Sequence, residues 1–102
     1  MTSNAMPWPL SGLMFPVGSV VATPNCIDAL HRSGTNAMDL VLRHQHGDFG
    51  KLCDADIQAN LEAIQTGARL LSCYEVGDRS ERIWVITESD RSTTTLLLPS
   101  EY

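Results

Sequence analysis

Three strand-like segments in the last third of the chain constrain its fold more than anything else in the sequence. Gly67-Ala-Arg-Leu-Leu-Ser-Cys-Tyr74, Arg82-Ile-Trp-Val-Ile-Thr-Glu88 and Thr93-Thr-Thr-Leu-Leu-Leu98 follow one another across short polar turns, Gly77–Glu81 and Glu88–Ser92. Leu70, Ser72, Tyr74 and Val76 alternate with Leu71, Cys73 and Glu75, the period of a strand covered in part on both faces. Trp84 and Ile86 fall on one face of the next strand, and Ile83, Val85 and Thr87 on the other. Such spacing predicts an antiparallel meander.

Upstream, the punctuation is helical. Gly18-Ser-Val-Val-Ala22 reads as a short strand stopped by Thr23-Pro24, a Thr cap followed by proline at the first helical position. Ile27 and Leu30 then mark a helix that stops at Gly34. Asn36 caps a second helix, with Met38, Val41 and Leu42 as its expected buried stripe and Gly47 as its end. A third has Asp54 or Asp56 as its N-cap, places Ile57, Leu61 and Ile64 on one face, and stops at Gly67. Strand, three helices, then a three-stranded antiparallel meander with the helices on one face define an α+β domain over residues 18–102.

Residues 1–17 read as an extended arm. Proline at positions 7, 9 and 16 denies it a helix or a central strand, and Trp8 and Phe15 are expected to pack on the body or on a neighbouring subunit. Ser3-Asn4-Ala5 ahead of Met6 has the look of a cloning remnant, with Met6 as the native start.

With 102 residues the chain suffices for one modest core without obligatory disulfides or metal. Acidic residues outnumber Lys plus Arg by 12 to 7, which disfavours non-specific phosphate binding and hence nucleic acid as the main partner. Cys26, Cys53 and Cys73 form no C-x-x-C pair, so the expectation is buried free thiols and a reducing compartment. No apolar run nears the roughly 18 to 20 residues that cross a bilayer, and no secretory leader is recognisable. Together these predict a cytoplasmic protein without membrane attachment. No phosphate-cradling glycine loop or nucleophile elbow occurs, so no nucleotide cofactor is expected.

Chemistry-bearing side chains concentrate in Arg43-His44-Gln45-His46-Gly47-Asp48-Phe49-Gly50 and in Asp90-Arg91-Ser92. His44, His46 and Asp48 with Cys53 form an incomplete ligand set, and no metal is predicted. Cationic side chains at a helix C-terminus account for Arg43, His44 and His46 without function. A catalytic reading takes His44 or His46 as base and acid, Arg91 for phosphorane charge, and Ser92 beside them, as metal-free RNA cleavage requires. Helices followed by an antiparallel sheet is also similar to the layout of the barnase, RelE and colicin-type ribonucleases. Arg43, Asp48 and Tyr102, with Trp8 and Phe15 of the arm, are the binding candidates.

Whole phrases carry a further likeness. Thr23-Pro24, Arg43-His44, Gly47-Asp48, Gly67, Arg69-Leu-Leu-Ser72 and the run from Ile83 to Tyr102 resemble a family of short bacterial proteins carried on plasmids and integrative conjugative elements. That resemblance covers residues 18 to 102 and implies a genetic setting rather than a chemistry: mobile-element cargo such as a toxin, an antitoxin, an anti-restriction factor or a conjugation accessory. The leading expectation is a non-enzymatic accessory protein that binds itself or a protein partner through the arm or a sheet edge; the alternative is the ribonuclease-like enzyme.

Overall fold

The computed structural model describes residues 11–102, so Trp8 and the first part of the arm lie outside the described residues. Four strands and three helices follow in the order β1 (Ser19–Ala22), α1 (Pro24–Ser33), α2 (Ala37–Gln45), α3 (Asp54–Thr66), β2 (Leu70–Val76), β3 (Glu81–Thr87) and β4 (Thr93–Leu97), with a 3-10 turn at Pro99–Glu101. β2, β3 and β4 form the expected antiparallel meander. The sheet is nevertheless four-stranded and mixed, in the order β1-β4-β3-β2, because β1 adds parallel to β4 with Ser19 opposite Thr93 and Ala22 opposite Leu96. A parallel partner so distant in sequence leaves no local pattern, so a three-stranded sheet was as far as alternation reached.

The caps follow the sequence closely. Thr23 Oγ1 accepts from the Cys26 amide at 3.2 Å with Pro24 at the first helical position, and Gly34 closes α1 at φ +68. Asn36 Oδ1 accepts from the Met38 amide at 2.8 Å. α3 departs from expectation: its N-cap is Cys53, without a side-chain bond, and Asp54 and Asp56 lie in the first turn, where their charge favours the dipole.

All three helices cover one face of the sheet. Cys26, Ala29 and Leu30 of α1 and Leu40 and Val41 of α2 pack on Tyr74, Val76, Ile83, Val85 and Leu96. A second cluster joins Ala63 of α3, flanked by Ile57 and Ile64, to Phe15, Phe49 and Leu70. Leu30, Val41 and Leu42 are buried and Ile57 and Ile64 half-buried as expected, but Ile27, Met38 and Leu61 are exposed, and small or polar residues at Cys26, Ala29, Asn60 and Ala63 face the core beside them. Tyr74 and Trp84 face opposite sides of the sheet, because Trp84 stands opposite Cys73 and Tyr74 opposite Ile83.

Opposite treatment of the two sheet edges is a further consequence. On β2 the outward groups of Leu71 are both taken by Asn60 of α3, whose amide donates to the Leu71 carbonyl at 2.7 Å and accepts from its N–H at 3.1 Å. Two residues on, Cys73 donates to the Phe49 carbonyl at 3.0 Å and accepts from Lys51 at 2.7 Å. This second clamp requires Gly50, which sits at φ +77 so close that a Cβ would lie 2.0 Å from the Cys73 carbonyl oxygen.

Gly50→Ala is therefore expected to cost at least about 2 kcal/mol, from strain and from loss of the edge clamp. Gly67→Ala, at φ +81 with nothing near its Cβ position, should cost only about 1 kcal/mol. Urea unfolding of the two variants measures the difference.

Candidate functional site

His44 occupies the centre of the molecule. It projects from the last turn of α2 into the sheet, is wholly buried, and has Ser72 of β2 at 2.5 Å from Nδ1 and Thr87 of β3 at 2.9 Å from Nε2. Thr87 is 2.7 Å from Thr94 of β4, and Thr94 bonds the Val17 carbonyl at 2.9 Å. One imidazole thus links α2 to three adjacent strands and to the arm.

Proton placement along this chain follows from its far end. A carbonyl only accepts, so Thr94 donates to Val17. A hydroxyl carries one proton, so Thr94 must accept from Thr87, and Thr87, its own proton committed, accepts from the ring. His44 therefore carries its proton on Nε2, and its bare Nδ1 accepts from the Ser72 hydroxyl. Every member is satisfied, as a buried polar group must be. Burial first, and the positive charge of Arg91 second, hold the imidazole down at about 3 from its ordinary 6.5. At neutral pH such a ring is neutral and too weak a base for proton abstraction, and the 2.5 Å contact to Ser72 resembles a nucleophile–base pair in distance only, since Ser72 is equally buried.

Arg91 serves a different element. α3 has no basic residue in its last turn, and Arg91 supplies one from the β3–β4 turn. It donates to the carbonyls of Ala63 at 3.0 Å, Ala68 at 2.6 Å and Glu88 at 3.2 Å, capping the negative end of the helix. Between it and His44 stands Phe15, whose ring centroid is 5.9 Å from the guanidinium carbon and 5.0 Å from the imidazole. Ser92 turns outward instead, and its amide and hydroxyl both bond the Asp90 carboxylate, at 2.9 and 2.7 Å. Those two bonds hold the Asp90 carboxyl below the usual range.

The remaining candidates scatter. His46 is the C-cap residue of α2 and lies against Gly12, away from the core that receives His44, as an i, i+2 spacing dictates. Arg43 pairs with Asp48 at 2.8 Å and lies over the Tyr74 ring at 4.4 Å, while the Tyr74 hydroxyl donates to the Asp48 carbonyl at 2.6 Å. These residues line an open depression of about 360 Å³ with Gly50, Lys51 and Glu75, two cations against two carboxylates. Phe15 is buried, and the bond from Gln45 Nε2 to its carbonyl at 2.9 Å fastens the described part of the arm to α2. Among the described residues no group of three or more His, Cys, Asp and Glu side chains converges as metal ligands. Burial pushes the Cys26 thiol up to about 11 and also raises Cys73, so neither is a thiolate at neutral pH.

The proposed quartet of His44, His46, Arg91 and Ser92 is thus not brought together on an accessible surface. What sequence reasoning missed was the partner set of His44. Ser72, Thr87 and Thr94 occupy inward positions of their strands, where a polar residue amid alternating apolar ones signals a buried bond.

A second cluster lies on the sheet face away from the helices. Tyr102 folds across β3 onto Trp84, with ring centroids 5.4 Å apart, and Arg69 bonds the Tyr102 hydroxyl with its guanidinium 5.3 Å from the ring centroid. Glu101 fixes the turn that delivers it, accepting from the Leu98 amide at 2.8 Å, Thr23 Oγ1 at 2.7 Å and Asn25 Nδ2 at 3.3 Å. Ile86 and Leu97 are buried on this face, while Tyr102 stays 64% exposed.

Protonating His44 works against folding. The unfolded chain takes up its proton near pH 6.5 and the folded one near 3, so stability falls as pH drops through that window. The loss should total roughly 4 to 5 kcal/mol, with a slope near 1.4 kcal/mol per pH unit that His44→Gln abolishes. Urea unfolding across this pH range measures the slope, and nitrogen NMR should report an Nε2–H ring.

Comparison of the chain with protein-family models, with curated proteins and with solved structures found no match.

Proposed function

We propose that this chain is a non-catalytic interaction module, and that it binds a protein partner through the sheet face opposite its helices. The Trp84, Tyr102 and Arg69 cluster carries this reading. Trp, Tyr and Arg are the side chains that dominate binding hot spots, and here they meet on a face over which none of the described α-helices lies, above the apolar residues Ile86 and Leu97. A protein surface suits this face better than nucleic acid. Arg69 is bonded to Tyr102, Arg82 lies 3.7 Å from Glu75, and the chain carries a net charge of −5. The resemblance to plasmid and integrative-element proteins supports a mobile-element accessory as the setting. Burial of His44 and the capping role of Arg91 count against the ribonuclease-like alternative, which needs the first as an accessible base and the second as a free guanidinium.

A photo-crosslinking residue in place of Tyr102 tests the reading in cells, with the same residue at Ile27, an exposed site on α1, as control. A discrete adduct with a second protein from position 102 and none from position 27 is expected. Absence of any adduct from position 102, together with RNA cleavage by the purified wild-type chain, would overturn it.

A further inference from the structure

The open edge of the sheet has its own logic. β1 is bounded by Gly18 and by Thr23-Pro24, and apart from its shortness it has none of the charge, proline or bulge that ordinarily protect an edge. The opposite edge is closed group by group, by Asn60 on Leu71 and by Phe49 and Lys51 on Cys73. Parallel pairing to β4 uses the backbone of alternate residues: Ser19 donates to Ser92 at 3.0 Å and Thr23 to Leu96 at 3.0 Å, which places Val21 in the same inward set. The N–H and C=O groups of Val20 and Ala22 consequently point away from the sheet, and no hydrogen bond from the described residues reaches them.

We infer that this edge receives the β1 strand of a second copy, antiparallel, making one continuous eight-stranded sheet. Four outward groups spaced two residues apart are self-complementary in one register. Val20 pairs with Ala22 of the second copy and Ala22 with its Val20, so that two residue pairs exchange both bonds and all four groups are satisfied. Val21 then lies on the two-fold axis, directly opposite itself. Its side chain, 47% exposed on the helix-free face, loses that exposure against its counterpart. Lengthening by other proteins' strands would need no such symmetry. What favours a second copy is the register itself, which sets the exposed apolar Val21 of an uncharged edge against its own counterpart. So short a contact belongs with the weak, reversible class, and each copy carries a net charge of −5, so association should strengthen with concentration and with salt.

Sedimentation equilibrium over a wide concentration range reads this directly. The wild-type mass should climb from 11.2 kDa toward twice that value. Val21→Lys places two like charges across the axis without touching the β1–β4 ladder, and should weaken association by about tenfold or more at an unchanged thermal midpoint. Val21→Cys in a Cys53→Ser background should form a covalent dimer in air, because Cβ atoms in such a non-hydrogen-bonded pair lie within disulfide reach. A wild-type chain that stays monomeric throughout, or a dimer that persists undiminished in Val21→Lys, overturns the inference. Neither result touches the Trp84–Tyr102 reading, whose crosslink from position 102 to a different protein is scored separately.

Discussion

A single neutral imidazole holds this architecture in register. Among the described residues His44 is the one side chain that bonds two different strands at once, and the hydroxyl chain beginning at Thr87 extends its reach to β4 and to Val17 of the arm. Because each hydroxyl has one proton to give, the chain admits one direction only, and a strand slipped by a single residue would turn Ser72, Thr87 or Thr94 to the other face. An apolar residue at position 44 would fill the same volume without this discrimination. Burial of the ring depends in turn on Phe15 and Phe49, whose rings stand edge-on to it with centroids 5.0 and 6.2 Å away, so Phe15 belongs to the core.

Electrostatic complementarity between distant segments does the remaining tying. α3 ends without a cation of its own and receives Arg91 from the β3–β4 turn; α1 begins without an acid in its first turn and receives Glu101 from the 3-10 turn after β4. Each helix terminus is thus completed by a residue close in space and remote in sequence. The same logic shapes the β2 edge, where a helix side chain and a loop backbone stand in for a neighbouring strand.

Local rules were legible and non-local ones were not. Thr23-Pro24, Asn36 and Gly34 mark their helix ends because a cap is decided within four residues, and the strands of the meander show in their alternation. The parallel docking of β1 could not be read, since its partner lies 74 positions away and a four-residue strand reads alike in either direction. His44 was found as a residue and misplaced as a group. Its position at a helix end suggested a solvated cation, whereas one more fact, that the strands carry three inward polar residues needing partners, pointed to burial. Arg91, expected to meet phosphorane charge, instead caps α3, because nothing near it in sequence shows a helix end lacking a cation.

Pairing of β1 with β4 has a kinetic meaning as well. The two strands are joined through nearly the whole domain, so the loop that must close between Ser19 and Thr93 is about the longest the chain can offer, and its entropy is paid before any ladder bond forms. During synthesis β1 emerges early and waits until the last strand has left the ribosome. α1 and α2 can form in the interval, but Thr94 reaches Thr87 and Val17 only at the end. Completion of the sheet is therefore the closing event of folding, and a nascent chain halted before residue 93 would present an unfinished β3 edge to the cell.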